Sequence, residues 1–275
     1  MSVVSIRSDT VGTVPVTVRV RVECVHLLFM FNPVPRADDV GTVHSTGCNG
    51  HPTHTERRYK MKKTQKTQDT EKAARVPAFV LPDHATMVAN IMDAYNRATP
   101  EQAIAGAQWY SVAHALAGAL CDGDTDRGAA IIAVLSPVLH WDKNAAHAVV
   151  AARAGTRRPA GVLTKNWSKA KAARVKGADL DTIVKGKKVR AFWLCIASNG
   201  TDPYAVCVDR HAVAIACGRF LDSEDAGRAV NGKRYDRVAD AYRDAAALVG
   251  VSPATMQAVT WVVWRETPWR QRPVA

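Results

Sequence analysis

From residue 83 onward, apolar residues recur at intervals of three and four, and the pattern is broken by short clusters of Gly, Pro, Asp and Ser. This is the signature of successive amphipathic helices, with no strand alternation after residue 76. Asp83 opens a helix with Met87, Ile91 and Tyr95 on one face. Thr99-Pro100-Glu101-Gln102 starts the next, with Thr99 as N-cap and Pro100 at the first helical position, and Cys121-Asp122-Gly123-Asp124 ends it. A helix over Asp126 to Leu135 is closed by Ser136-Pro137, and another runs from Asp142, with Trp141 and Asn144 at its start. Trp167 to Val175 is a short helix with a basic face, and an apolar run after Lys188 breaks at Ser198-Asn199-Gly200. Asp209-Arg210-His211 then precedes an apolar helix over 210–219, and Leu221 to Gly232 reads as a polar loop. Tyr235, Val238, Tyr242, Ala246 and Val249 mark an amphipathic helix ended by Gly250, and Ser252-Pro253 caps the last helix. The expectation is a mainly α domain of about eight to ten helices over residues 77–267.

Residues 1–76 differ in character. The first sixty mix Val/Thr runs, prolines, cysteines and histidines without a helical period, and Val14 to Phe31 is strand-like without a clear partner. Glu56-Arg57-Arg58 can be encoded by a purine run resembling a bacterial ribosome-binding site, just upstream of Met61. Residues 1–60 are therefore read either as translated leader before a start at Met61 or as a disordered extension. Met61 to Arg75 is a Lys/Gln/Thr-rich arm, and 268–275 a polar tail.

Composition narrows the function. Of 275 residues, 47% are apolar, enough for a substantial core, and 37 Lys and Arg against 25 Asp and Glu leave a net charge of +12. That excess points to an anionic partner, most simply nucleic acid. There is no basic amphipathic helix with a large apolar face for a membrane surface, and no apolar run of spanning length. The cysteines at 24, 48, 121, 195, 207 and 217 form no Cys-x-x-Cys pair, so neither a zinc site nor an iron–sulfur cluster is expected. Free thiols and the lack of a convincing signal peptide suggest a reducing cytoplasm, and a monomer without cofactor or metal is expected.

Candidate chemistry concentrates between Lys185 and Arg219. Gly186, flanked by Lys185, Lys187 and Lys188 and followed by a helix, suits a phosphate group, because open backbone amides and the helix dipole favour negative charge. Asp209 follows Val206-Cys207-Val208 at a helix start, where it either caps the helix or does chemistry. Trp141 is a core aromatic or a pocket wall, and Asn144 either fixes a turn or meets a ligand. Lys169 and Lys171 sit on a face that is either simply solvated or in contact with phosphate.

The order of these elements resembles the helix-hairpin-helix DNA glycosylases over about residues 126–219. IIAVLSPVLHWDKN is similar to that family's Leu-Ser-Ala-Gln turn and following Asn, and WSKAKAARV to its basic helix. IVKGKKVRAFWLCI is similar to its Leu-Pro-Gly-Val-Gly-Arg-Lys hairpin, and VDRHAVAIACGR to its Val-Asp-Thr-His turn. The resemblance implies a helix-hairpin-helix bundle that flips a damaged or modified base out of DNA. It also implies that Asp209 is the catalytic carboxylate and Lys188 the lysine nucleophile of the lyase-competent branch. Lys185, Gly186, Lys187, Lys169, Lys171 and Arg210 would contact DNA, and Trp141, Asn144 and His211 would form the substrate pocket. The pattern departs in having one hairpin glycine, so Lys187 and Lys188 both remain candidates for the hairpin lysine, and in having Val138 near the turn Gln. No cysteine cluster follows, as in the branch without iron–sulfur. Phage-encoded relatives of that fold are thought to hypermodify thymine, which supplies one alternative activity, in the cytoplasm of a bacterial host. A noncatalytic DNA-binding protein is another.

Overall fold

The computed structural model describes residues 79–230 and 232–267. The expected N-terminal extension, with the start at Met61, and the tail at 268–275 lie outside the described residues. Every regular element among the described residues is a helix. In order these are α1 (His84–Asn96), α2 (Pro100–Leu120), α3 (Thr125–Leu135), α4 (Trp141–Ala152), α5 (Thr164–Ala173), α6 (Leu180–Ile183), α7 (Lys187–Ala197), α8 (Arg210–Ala216), α9 (Ser223–Ala229), α10 (Gly232–Val249) and α11 (Pro253–Glu266).

The helix starts have local causes. Asp83 accepts from Thr86 N–H at 2.9 Å, and Thr99 with Gln102 forms a reciprocal capping box ahead of Pro100. Each side chain satisfies backbone donors that have no partner within the helix. Two differences from expectation stand out. The expected polar loop over 221–232 contains α9, because Asp222 accepts from Glu224 and Asp225 N–H and the two acidic residues complement the helix dipole. The helix expected over 210–219 stops at Ala216, where Gly218 takes φ +64°. With α9 and the single turn α6, the described residues hold eleven helices.

The core is in two parts. The first gathers α2, α3, α4, α5 and α7, with α3 at its centre: every residue from Gly128 to Leu135 is buried. The second gathers α1, α8 and α10 around Met87, Ile91, Ile215 and Tyr242. Helix α11 serves both, giving Ala254 and Ala258 to the first part and Met256 and Trp264 to the second.

Residues 205–208 run between the two parts. Ala205 and Cys207 pack into the first and Val206 and Val208 into the second, so alternate residues face opposite sides. Asp202 Oδ1 fixes the entry, accepting from Tyr204 N–H at 2.8 Å and Ala205 N–H at 2.7 Å. The buried Tyr235 hydroxyl donates to Val206 O at 2.7 Å and accepts from Val208 N–H at 3.3 Å, meeting polar needs that no helix or sheet supplies here. The segment thus delivers Asp209 to the seam between the two cores.

Candidate active site

A cavity of about 120 Å³ opens at this seam. Its walls are aromatic. Trp109 of α2 is the hub, with ring centroids 4.8 Å from Trp141, 5.8 Å from Phe192 and 6.5 Å from Trp261. Polar side chains line the same space, among them Asp209, Lys188, Asn144 and Gln257. These four come from four separate places, the start of α8, the first turn of α7, the first turn of α4 and the middle of α11.

Asp209 is the N-cap of α8 and also part of the cavity wall, so the two roles open to it from sequence are not exclusive. Its Oδ1 accepts from His211 N–H at 2.9 Å and Ala212 N–H at 2.8 Å, while Oδ2 accepts from the Trp261 indole N–H at 3.2 Å. Three donors from two helices hold the carboxylate in one orientation. Such fixing lets a charged group act without reorganisation when charge develops opposite it.

The two lysines after Gly186 separate cleanly. Lys187 Nζ pairs with Asp236 of α10 at 2.6 Å and donates to Gly232 O at 3.2 Å, whereas half-buried Lys188 lines the cavity. Between α6 and α7 the chain turns at Gly186, which has φ +91° and stands exposed at the N-terminus of α7 with no side-chain cap. The first-turn amides of α7 are therefore directed toward solvent without an intrahelical acceptor. Lys185 Nζ donates to Asp181 O at 2.7 Å.

Asn144 is 2% exposed, and its Oδ1 has no hydrogen-bond partner among the described residues. Gln257 is also buried and accepts the Tyr110 hydroxyl at 3.0 Å. Cys207 lines the cavity too, but burial pushes its thiol up to about 12, so it stays protonated and is a poor nucleophile.

The remaining expected site residues lie elsewhere. His211 is not in the wall: its ring stands edge-on to Trp261 at 6.4 Å. Arg210 is exposed at the first position of α8. Lys169 and Lys171 sit on α5, outside the cavity wall. They belong to a basic stretch, residues 153–190, that has twelve Lys and Arg against two Asp and leads into the cavity at Lys188. Val138, in the α3–α4 turn beside the cavity residues Ser136 and Leu139, is 81% exposed at φ +62°. A β-branched residue in that conformation costs about 1–2 kcal/mol, whereas Asp122 and Asn199, the other non-glycine residues at positive φ among the described residues, are of the types that adopt it readily.

Trp109, Phe192, Gln257 and Trp261 are site residues that sequence reasoning did not single out. One signal was present: Gln257, Trp261 and Arg265 recur every fourth residue on α11, on a different stripe from Met256, Val259 and Val263, and the Arg265 guanidinium lies 5.3 Å from the Trp261 ring.

Residues 81–268, the helical domain that builds this site, match the model of a family of unknown function, DUF7178. The chain belongs to that family. No curated protein and no solved structure matches it. The match thus covers the first core part, the second apart from Phe79, the seam and every residue of the cavity wall.

Proposed function

We propose that this chain is a DNA base-processing enzyme, a DNA N-glycosylase acting on a damaged or modified base flipped out of the duplex. The observation that carries the reading is the presence of Asp209 and Lys188 in one aromatic-walled cavity, behind a lysine-flanked glycine turn. An enzyme that acts on a base in a duplex must extrude it, and unstacking costs a few kcal/mol. Stacking on Trp109, Trp141 and Phe192 offsets part of that cost, and phosphate contacts from the 153–190 stretch offset more.

The chemistry follows from the polar groups. Breaking the N-glycosidic bond places positive charge on the deoxyribose, which the fixed Asp209 carboxylate stabilises. Attack at C1′ by the neutral Lys188 amine forms an Nζ–C1′ bond as the base departs with the bonding pair and takes up a proton. Water attacking in place of the lysine gives simple hydrolysis.

The test is incubation with duplexes carrying single damaged or modified bases, the products being resolved by mass. Release of a free base supports the reading, a change in base mass without release assigns modification, and binding without any product assigns a noncatalytic DNA binder. Duplex binding itself is expected to weaken steeply with salt, log Kd rising linearly with log salt; a flat response in a titration from low to physiological ionic strength would contradict phosphate contact.

Gly186→Ala probes the turn. A Cβ there meets nothing within 4 Å, so the penalty is conformational, about 1–2 kcal/mol from the positive φ, and is local to the hairpin. The expected result is a folded protein with DNA affinity lowered by roughly five- to tenfold, measured by fluorescence anisotropy. Unchanged affinity would remove the hairpin from the DNA contact.

A further inference from the structure

Asn144 makes a specific demand on whatever fills the cavity. Its side chain is buried at the first turn of α4, its backbone N–H is taken up by His140 O at 2.9 Å, and Oδ1 is left without a partner. A turn-fixing amide would be bonded within its turn, and this oxygen is not. Buried acceptors are almost always satisfied, and an N–H of a ligand entering between the aromatic walls would satisfy this one. Gln257 lines the same cavity: the Tyr110 hydroxyl donates to its Oε1, so what Gln257 offers the cavity is its amide hydrogens. The walls, Trp109, Trp141 and Phe192, fit a flat ring.

We infer that the cavity takes a nucleobase whose hydrogen-bonding edge carries a free N–H beside an acceptor, read by Asn144 and Gln257, and that it rejects bases alkylated at that edge. The inference rests on the base-processing reading above and adds the substrate class. A site built to bond a donor discriminates strongly against an analogue lacking it, because the site's own polar group is then left buried and unpaired.

The experiment uses the full chain and duplexes of one sequence. Each base that proves to be processed or bound in the cavity is compared with its derivative methylated at the edge nitrogen, starting with uracil against N3-methyluracil and hypoxanthine against N1-methylhypoxanthine. Product is read by mass, and entry of the base by quenching of tryptophan fluorescence from the cavity wall. Methylation breaks the Watson–Crick pair and eases extrusion, so any preference for the unmethylated base arises in the cavity. The expected result is a preference of about a hundredfold or more. Asn144→Leu, of similar size without the carboxamide, should bring each pair to within about threefold, chiefly by loss on the unmethylated base. Equal handling of the two bases by the parent protein would overturn the inference whether or not the variant folds, and so would a folded Asn144→Leu protein that still discriminates. Products without discrimination sink only this assignment; no product and no quenching on any duplex sinks the base-processing reading with it.

Discussion

Asp209→Asn is expected to lower turnover at least about a hundredfold while leaving the fold and DNA affinity in place. The substitution keeps the shape of the side chain. Its carbonyl oxygen takes over the two bonds from His211 and Ala212 N–H, and asparagine caps a helix about as well as aspartate. What changes is the second oxygen: it becomes an amide nitrogen facing the Trp261 indole N–H, donor against donor, and the 3.2 Å bond is lost. One such bond is worth about 1 kcal/mol, or roughly 2–4 °C in Tm for a domain of this size. The negative charge that the proposed chemistry sets against the developing sugar cation is lost as well. Because the stability cost is small, a large fall in kcat with little change in Kd and Tm isolates the charge as the catalytic element. Normal turnover in the variant, on a substrate the parent cleaves, would reduce Asp209 to its capping role and remove most of the case for glycosylase chemistry.

The parts of this structure that can be read along the chain are those with local causes. Thr99-Pro100, Asp83 and Ser252-Pro253 announce helices because an N-cap acts on backbone amides two or three residues away. Asp209 and Lys188 are conspicuous for the same reason, one at a helix start after an apolar run and the other in a glycine turn. What could not be read depends on which helix faces which. Lys187 and Lys188 are neighbours about 100° apart around α7, so one meets Asp236 and the other the cavity, and only the position of α10 decides the assignment. Trp109, Phe192 and Trp261 have the same helical spacing that a purely core aromatic would have, and their common cavity exists only once α2, α7 and α11 converge. The division of the core is hidden too, since residues 205–208 read as a plain apolar run until Tyr235, far along the chain, supplies their hydrogen bonds. Helix α9 escaped notice because its stretch has few apolar residues, although its Asp222 cap and acidic first turn were in view.

The helix packing that makes the cavity possible depends on two glycines, and Gly128→Ala is the substitution expected to damage the fold most. Gly128 sits in α3 at the point where α2 crosses it. A Cβ added there would lie 1.9 Å from the carbonyl oxygen of Ala117, 2.5 Å from its carbonyl carbon and 2.8 Å from its Cα, all of them backbone atoms of α2. No rotamer change relieves that overlap, so α2 and α3 must move apart. Gly106 has the same relation to α11, where a Cβ would lie 2.4 Å from the Cα of Val259. Helix α2 is thus clasped on two sides by contacts that only glycine permits. The usual gain from Gly→Ala in a helix interior, about 1 kcal/mol, should therefore reverse to a loss of about 3 kcal/mol or more, a fall in Tm of at least about 6 °C. Thermal unfolding followed by circular dichroism measures it directly. Separation of α2 from α3 also displaces Trp109 from Trp141 and Phe192, so quenching by bound base should weaken even in protein that remains folded. A Gly128→Ala protein as stable as the parent would mean that α2 and α3 are not in backbone contact, and the cavity walls would have to be placed again.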